Sequence, residues 1–255
     1  MTPSPVTTLI FDVDDTLYDV GTGFTAHRNK AAPKLMVEKY KFPSEEEAQK
    51  VKAEYFSKYH AIAKALKMAQ LEGKFPEDAP EVKTEDIATF WAEGLDFSML
   101  GPPKTELREQ LSKCNCTLVA FSNGPRKYVK RALETMGLFD LFGEERLYAV
   151  DDVMPHCKPE KEAFEKILKN IGNPRPETCV MVEDSMKNIR GAKALGMKTV
   201  LIRGSSENGR ILKDDKPNSE DPAVDCSMAS IEEFFTMLPG LLDASPFFDP
   251  VVVDK

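Results

Sequence analysis

Five short, unbroken apolar runs set the first constraint on this chain: TTLIFDV (7–13), CTLVAFS (116–122), RLYAV (146–150), CVMVE (179–183) and KTVLIR (198–203). A strand with one wet face alternates apolar and polar residues. A run that is apolar throughout fits a strand covered on both faces. Between the runs lie helical patterns with matching punctuation. PRKYVKRALETMG has Pro125 at its start and Gly137 at its end; KPEKEAFEKILKNIG opens with Pro159 and closes near Gly172; SMKNIRGAKALG closes at Gly196. Proline suits the first turn of a helix and glycine its exit. The βαβα rhythm predicts an α/β fold, a Rossmann-like parallel sheet core with helices on both faces.

Residues 19–98 break the rhythm, because they contain no convincing strand. SEEEAQKVKAEYFSKYHAIAKALKMAQ (44–70) reads as one long helix opened by a capping box of Ser44 and Glu47. TGFTAHRNKAAPKLMVEKY (22–40) and TEDIATFWAEGL (84–95) are further helices. The expectation is an inserted α-helical bundle at 19–98, with the core formed by 1–18 and 99–255. A length of 255 residues and 42% hydrophobic content suit such a core with an insertion. A last helix is expected near 230–242, followed by DASPFFDPVVVDK as a packed arm.

In an open parallel sheet, ligands bind beyond the carboxyl ends of the strands. The polar residues there are Asp12 and Asp14 after the first run, Ser122 and Asn123 after the second, and Glu183 and Asp184 after the fourth. Lys158 opens a helix after the third. Several carboxylates at one rim repel each other, and a hard divalent cation relieves them. Asp12 and Asp184 are the natural ligands for Mg2+. Asp12, at the strand tip, is also placed to attack phosphorus, and Asp14 to protonate a leaving oxygen and then take a proton from water. Ser122 can donate to a phosphoryl oxygen, and Lys158 can neutralise phosphate charge.

The formal net charge of −8 argues against a nucleic-acid polymer as partner. No apolar run approaches the roughly 20 residues of a membrane span. Cys114 and Cys116 form C-x-C with no second pair, so no zinc site is expected, and Cys116 and Cys179 read as buried thiols in strands. Together with an N-terminus lacking a signal-type stretch, this predicts a cytoplasmic protein, a nuclear location also being open.

DVDDT, FSN, CKP and VEDSMKNI, in that order, resemble the four motifs of the haloacid dehalogenase-like (HAD) phosphohydrolases. The resemblance implies Asp12 as nucleophile, and Asp14 as acid/base and as a magnesium ligand through its carbonyl. It implies that Thr16 orders the loop on the substrate side, that Ser122 and Lys158 bind phosphate, and that Asn123 belongs to the same substrate-binding turn. Asp184 would be the acidic metal ligand, with Glu183 ligating directly or through water. It also implies that the helical insertion is a cap. Within the family, DVDDTLY, YFSKYHAIAKAL, GLFDLF and CKPEKEAFEKIL are similar to the pyrimidine 5′-nucleotidase-like branch; Tyr59 is followed here by His60 and Ala61 where that branch often has Gly and a small polar residue. The implied activity is a magnesium-dependent phosphatase acting on a small-molecule phosphomonoester through an aspartyl-phosphate, a nucleoside 5′-monophosphate being favoured. A sugar-phosphate or phosphoglycolate phosphatase, a phosphomutase, and a phospho-accepting or partner-binding scaffold are the alternatives.

Other polar residues are open to two readings. Asp15 reads as a loop or capping residue. Asp151 and Asp152 either orient Lys158 or form a solvated pair. His27, Arg28, Tyr55, Tyr59, His60, Phe90 and Trp91 are expected mostly to pack the insertion, with a few facing the site to stack a base or grip a second charged group. Arg203 and Arg210 flank glycines in a loop near the core rim.

Overall fold

The computed structural model describes residues 5–205 and 215–251. Its strands are β1 (Thr8–Phe11), β2 (Thr117–Phe121), β3 (Leu147–Tyr148), β4 (Cys179–Glu183), β5 (Lys198–Ile202) and β6 (Cys226–Met228). They form one parallel sheet in the order β3-β2-β1-β4-β5-β6. The chain leaves β1 toward β2 and β3, then crosses back to place β4 on the other side of β1, so the crevice beside β1 is where the strand order reverses. Register brings three tips level: Phe11 pairs with both Ala120 and Val182, and the next residues along are Asp12, Phe121 and Glu183. The Asp12 amide continues the ladder by donating to the Val182 carbonyl at 2.9 Å.

Both faces of the sheet are covered, which explains the unbroken apolar runs. Successive side chains alternate between two cores. Ile10, Val119 and Met181 pack with Phe164 and Ile167, while Leu9, Phe11, Leu118 and Val182 join a larger cluster with Leu133 and Phe142. The core helices are α5 (Thr105–Lys113), α6 (Arg126–Thr135), the single turns α7 (Phe139–Phe142) and α8 (Val150–Val153), α9 (Lys161–Asn170) and α10 (Met186–Ala194). They follow α1 (Phe24–Glu38), α2 (Glu45–Tyr59), α3 (Ile62–Leu71) and α4 (Thr84–Gly94), which fill the insertion between β1 and β2 without a strand among them.

Several expectations need correction. The long helix over 44–70 is two: His60 takes a left-handed backbone (φ 55°) and Ala61 is extended, so α2 ends and α3 begins anew. Ser44 does accept from the Glu47 amide at 3.2 Å. RLYAV yields only two strand residues, because the Ala149 amide turns to the Asp152 carboxylate and α8 starts at once. β6 escaped notice because CSM is too short to show a pattern, and its register comes from pairing with β5. The last helix is fragmented into Ile231–Glu233, Phe234–Met237 and Pro239–Leu242. The arm after it does pack: the Val6 amide donates to the Pro246 carbonyl, and the Phe247 ring lies over Gly240. All five cysteines are free thiols, and Cys116 is half-buried just before β2 rather than within it. Among the described residues no helix is long and apolar enough to cross a membrane.

One close approach fixes α10 against the loop that carries Lys158. A Cβ on Gly191 would lie 2.8 Å from the Pro159 carbonyl oxygen and 3.1 Å from Pro159 Cβ. Gly191→Ala is expected to destabilise the protein by about 1–3 kcal/mol through overpacking. Gly94→Ala, where a Cβ meets nothing within 4 Å, is expected to be neutral or stabilising by up to about 1 kcal/mol. Urea denaturation of the two variants checks the pair; equal stabilities would refute the packing assignment.

Candidate active site

Lys158 is 0% exposed, and its ammonium has three protons to place. It donates to Asp12 Oδ1 at 2.6 Å, to the Phe121 carbonyl at 2.6 Å and to Glu183 Oε2 at 2.8 Å. Three tips, those of β1, β2 and β4, are thereby tied to one nitrogen. Burial alone would lower the lysine pKa, but the charges of Asp12 and Glu183 outweigh it and raise it to about 12. Asp12 is driven the other way: burial, reinforced by Glu183, pushes its pKa up to about 8 despite Lys158. Thr16 donates to Asp12 Oδ2 at 3.3 Å. Glu183 is heavily engaged, accepting also from the Asp184 and Ser185 amides, each at 3.2 Å, and from Asn188 Nδ2 at 3.1 Å.

Carboxylate oxygens of Asp12, Glu183 and Asp184 lie within 4.8 Å of one another. Lys158 supplies one positive charge against these three acids. The surplus is negative and made of hard oxygen donors, the set that a divalent cation such as Mg2+ neutralises. The residues present therefore fit a metal.

Asp14, two residues beyond Asp12, has different partners. Tyr18 and Tyr128 donate their hydroxyls to Asp14 Oδ1 at 2.6 and 2.5 Å, and Arg28 Nη1 lies 2.5 Å from the same oxygen. Ser122 Oγ is 3.4 Å from the other oxygen. Burial would raise the Asp14 pKa, but the Arg28 guanidinium and the phenol hydrogen bonds hold it below its usual range. Burial keeps both phenols protonated, and so donating, far above neutrality. Asp15 sits in the left-handed region (φ 58°), which an aspartate tolerates, and accepts from the Thr25 hydroxyl of α1 at 2.7 Å. It is thus a loop residue that ties the strand-tip turn to the insertion.

After β2, the Gly124 amide donates to Ser122 Oγ at 2.9 Å. Asn123 clamps the Lys158 peptide from both ends: its Oδ1 accepts from the Lys158 amide at 2.9 Å and its Nδ2 donates to the Lys158 carbonyl at 2.8 Å. The same Nδ2 reaches the His60 carbonyl at 3.4 Å, across to the insertion. Asp151 and Asp152 do not orient Lys158. Asp151 accepts from the Arg126 amide, and Asp152 from the Ala149 amide and the Arg126 side chain, so both build the α6–α8 corner.

A cavity of about 140 Å³ lies between these tips and the insertion, and its lining includes Asp12, Asp14, Ser122, Asn123, Glu183 and Asp184. Of the insertion residues singled out from sequence, Arg28, His60 and Trp91 line it; His27, Tyr55, Tyr59 and Phe90 do not. Arg203 does not line it, and Arg210 lies outside the described residues. Sequence reading missed Tyr18, Tyr128, Lys52 and Asp215. The first two could have been suspected as polar-tipped aromatics near DVDD and FSN. Lys52 looked like any charge on a polar helix. Asp215 accepts from the Ser185 hydroxyl and the Lys187 amide at the start of α10, and nothing in its local sequence marks it.

A model of the haloacid dehalogenase-like hydrolases matches residues 6–196. A phosphoglycolate phosphatase of Pseudomonas syringae pv. tomato is 28% identical over 153 residues, 60% of this chain and 51% of that protein. A glyceraldehyde 3-phosphate phosphatase of Methanothermobacter thermautotrophicus is 28% identical over 197 residues, 76% of this chain and 84% of that protein. The chain spans between 51% and 61% of the length of three phosphoglycolate phosphatases of Pseudomonas that it matches. The crystal structure of a HAD phosphatase from Thermococcus onnurineus shares the fold, with a TM-score of 0.59 at 22% identity, covering 92% of this chain and 99% of that one. The matched stretch runs from before β1 to the turn before β5 and so takes in every strand tip described above. This chain belongs to the haloacid dehalogenase-like hydrolase family.

Proposed function

We propose that the chain is a magnesium-dependent phosphatase of small phosphomonoesters that works through an aspartyl-phosphate. The observation that carries this reading is the Lys158 ammonium, out of contact with water, bridging Asp12 and Glu183 with Asp184 alongside. A lysine held there neutralises the nucleophile and the incoming phosphate together. A carboxylate oxygen of Asp12 attacks phosphorus, the P–O bond to the leaving group breaks, and the leaving oxygen takes the proton of Asp14. Water then attacks the aspartyl-phosphate, Asp14 takes a proton from it, and phosphate leaves as the Asp12 carboxylate re-forms. Asp12, Asp184 and the Asp14 carbonyl would hold Mg2+, which when bound supplies positive charge to the phosphoryl oxygens. Glu183, with both oxygens already accepting hydrogen bonds, acts through Lys158.

In the resting site Arg28 keeps Asp14 ionised, the state needed in the second half-reaction. A phosphoryl group entering beside Arg28 competes for the guanidinium, which weakens that hold before the first half-reaction. Residues 19–98 act as the cap, closing the site to bulk water, over a core of 1–18 and 99–255. For the leaving group, the branch-level motifs favour a nucleoside 5′-monophosphate. A compact phosphoester of the phosphoglycolate or triose phosphate class is the second reading, favoured by the names of the relatives and by a cavity smaller than the roughly 300 Å³ at which drug-sized sites begin.

Phosphate release with Mg2+ is expected to vanish in Asp12→Asn and to fall roughly a hundred- to ten-thousand-fold in Asp14→Asn. Chelation with EDTA is expected to abolish turnover and added Mg2+ to restore it. Undiminished turnover in Asp12→Asn, followed by phosphate assay, would remove the covalent route. A side-by-side assay of UMP, CMP, phosphoglycolate and glyceraldehyde 3-phosphate decides between the two leaving-group classes by kcat/KM.

A further inference from the structure

Two lysines are buried at this site, and they are treated differently. Lys158 fills all three of its N–H positions, two of them with carboxylates. Lys52, on α2, is 5% exposed and lines the cavity, yet its ammonium donates to a neutral acceptor, the Asn29 carbonyl at 3.0 Å. Lysines are seldom buried without a charged partner, because burial of an unpaired ammonium is costly. Burial, with the charge of Arg28 added, lowers the Lys52 pKa to about 8, so it remains mostly protonated at pH 7. Of the two cations lining the cavity, Arg28 is matched by Asp14, whereas Lys52 has no carboxylate among the described residues. Beside them stands Trp91, 5% exposed, with Arg28 over its ring at 5.5 Å. Its indole N–H has no hydrogen-bond partner among the described residues. Among the described residues, the insertion side of the cavity is thus lined by one cation without a carboxylate partner and by a tryptophan whose buried N–H is unused, opposite the strand tips.

Building on the phosphatase reading, we infer that Lys52 and Trp91 form a subsite for a carboxylate on the leaving-group side of the substrate. One ammonium balances one carboxylate, and the spare N–H groups match its two oxygens. A second phosphate would bring about two charges against one. The substrate class is therefore a short phosphorylated hydroxy acid, gripped by its phosphate at the strand tips and by its carboxylate at α2 and α4. This grip favours the compact class over a nucleoside monophosphate, whose only strong anion is the phosphate already accounted for.

Binding of two phosphonates that differ only in the distal group tests this. In calorimetric titrations with Mg2+ present, 3-phosphonopropionate is expected to bind the wild-type protein at least tenfold more tightly than propylphosphonate. Lys52→Met is expected to shrink that ratio to threefold or less, Lys52→Arg to keep part of it, and Trp91→Phe to reduce it severalfold. Lys52→Met is also expected to melt at or above the wild-type temperature, since it removes a buried charge. Equal wild-type affinities would overturn the subsite and leave the phosphatase reading standing. Failure of both phosphonates to bind would overturn the two together. A lower melting temperature with an unchanged ratio would assign Lys52 a structural role and also overturn the subsite.

Discussion

An ammonium group with no access to water holds this site together. Lys158 is tolerable in the interior only because two carboxylates and a carbonyl receive its protons, and those acceptors come from three different strands. The dependence runs both ways. Without the lysine, Asp12 and Glu183 would face each other buried and unmatched. Without the level register of β1, β2 and β4, no single nitrogen could reach all three tips. The loop carrying Lys158 is in turn fixed by Asn123 on one side and by the glycine-width gap at Gly191 on the other.

Asp12 and Asp14 are separated by one residue and end in opposite electrostatic states. Asp12 turns toward the core, where burial and Glu183 raise its pKa; Asp14 turns toward the insertion, where Arg28 and two phenols lower it. The division also links the two parts of the chain. Arg28 and Tyr128 are hydrogen-bonded at 2.9 Å while both contact Asp14, so an insertion helix and a core helix share one carboxylate. Asn123 makes a second link by reaching the His60 carbonyl. The contacts of the insertion with the strand tips therefore converge on Asp14 rather than on Asp12.

Legibility varied with the range of the interaction. The strand tips could be read because a strand buried on both faces leaves polar residues only where it ends. Asp12, Asp14, Ser122, Asn123, Glu183 and Asp184 follow from that rule, and Lys158 from the lysine-proline that precedes a helix; the structure gathers them around one cavity, Lys158 just behind its wall. Asp151 and Asp152 looked equally suited to orient Lys158, being close in sequence, but helix capping and Arg126 claim them. The break at His60 was hidden because α2 and α3 are each good helices and only the backbone of one residue separates them.

The sequence by itself determined the class of fold, the order of the strand tips and the acids that stand on them, because apolar periodicity and chain direction are local properties. Which partner each acid would take was decided only by the tertiary structure. Nothing near Asp14 in the chain announces Tyr128, and nothing about Lys52 distinguishes it from the other lysines of α2 until that helix is laid against the cavity. Charge matching is a property of positions in space, set by how α1, α2 and α4 pack over the sheet. The same side chain on a polar helix is a solvated cation or a buried one depending on that packing alone.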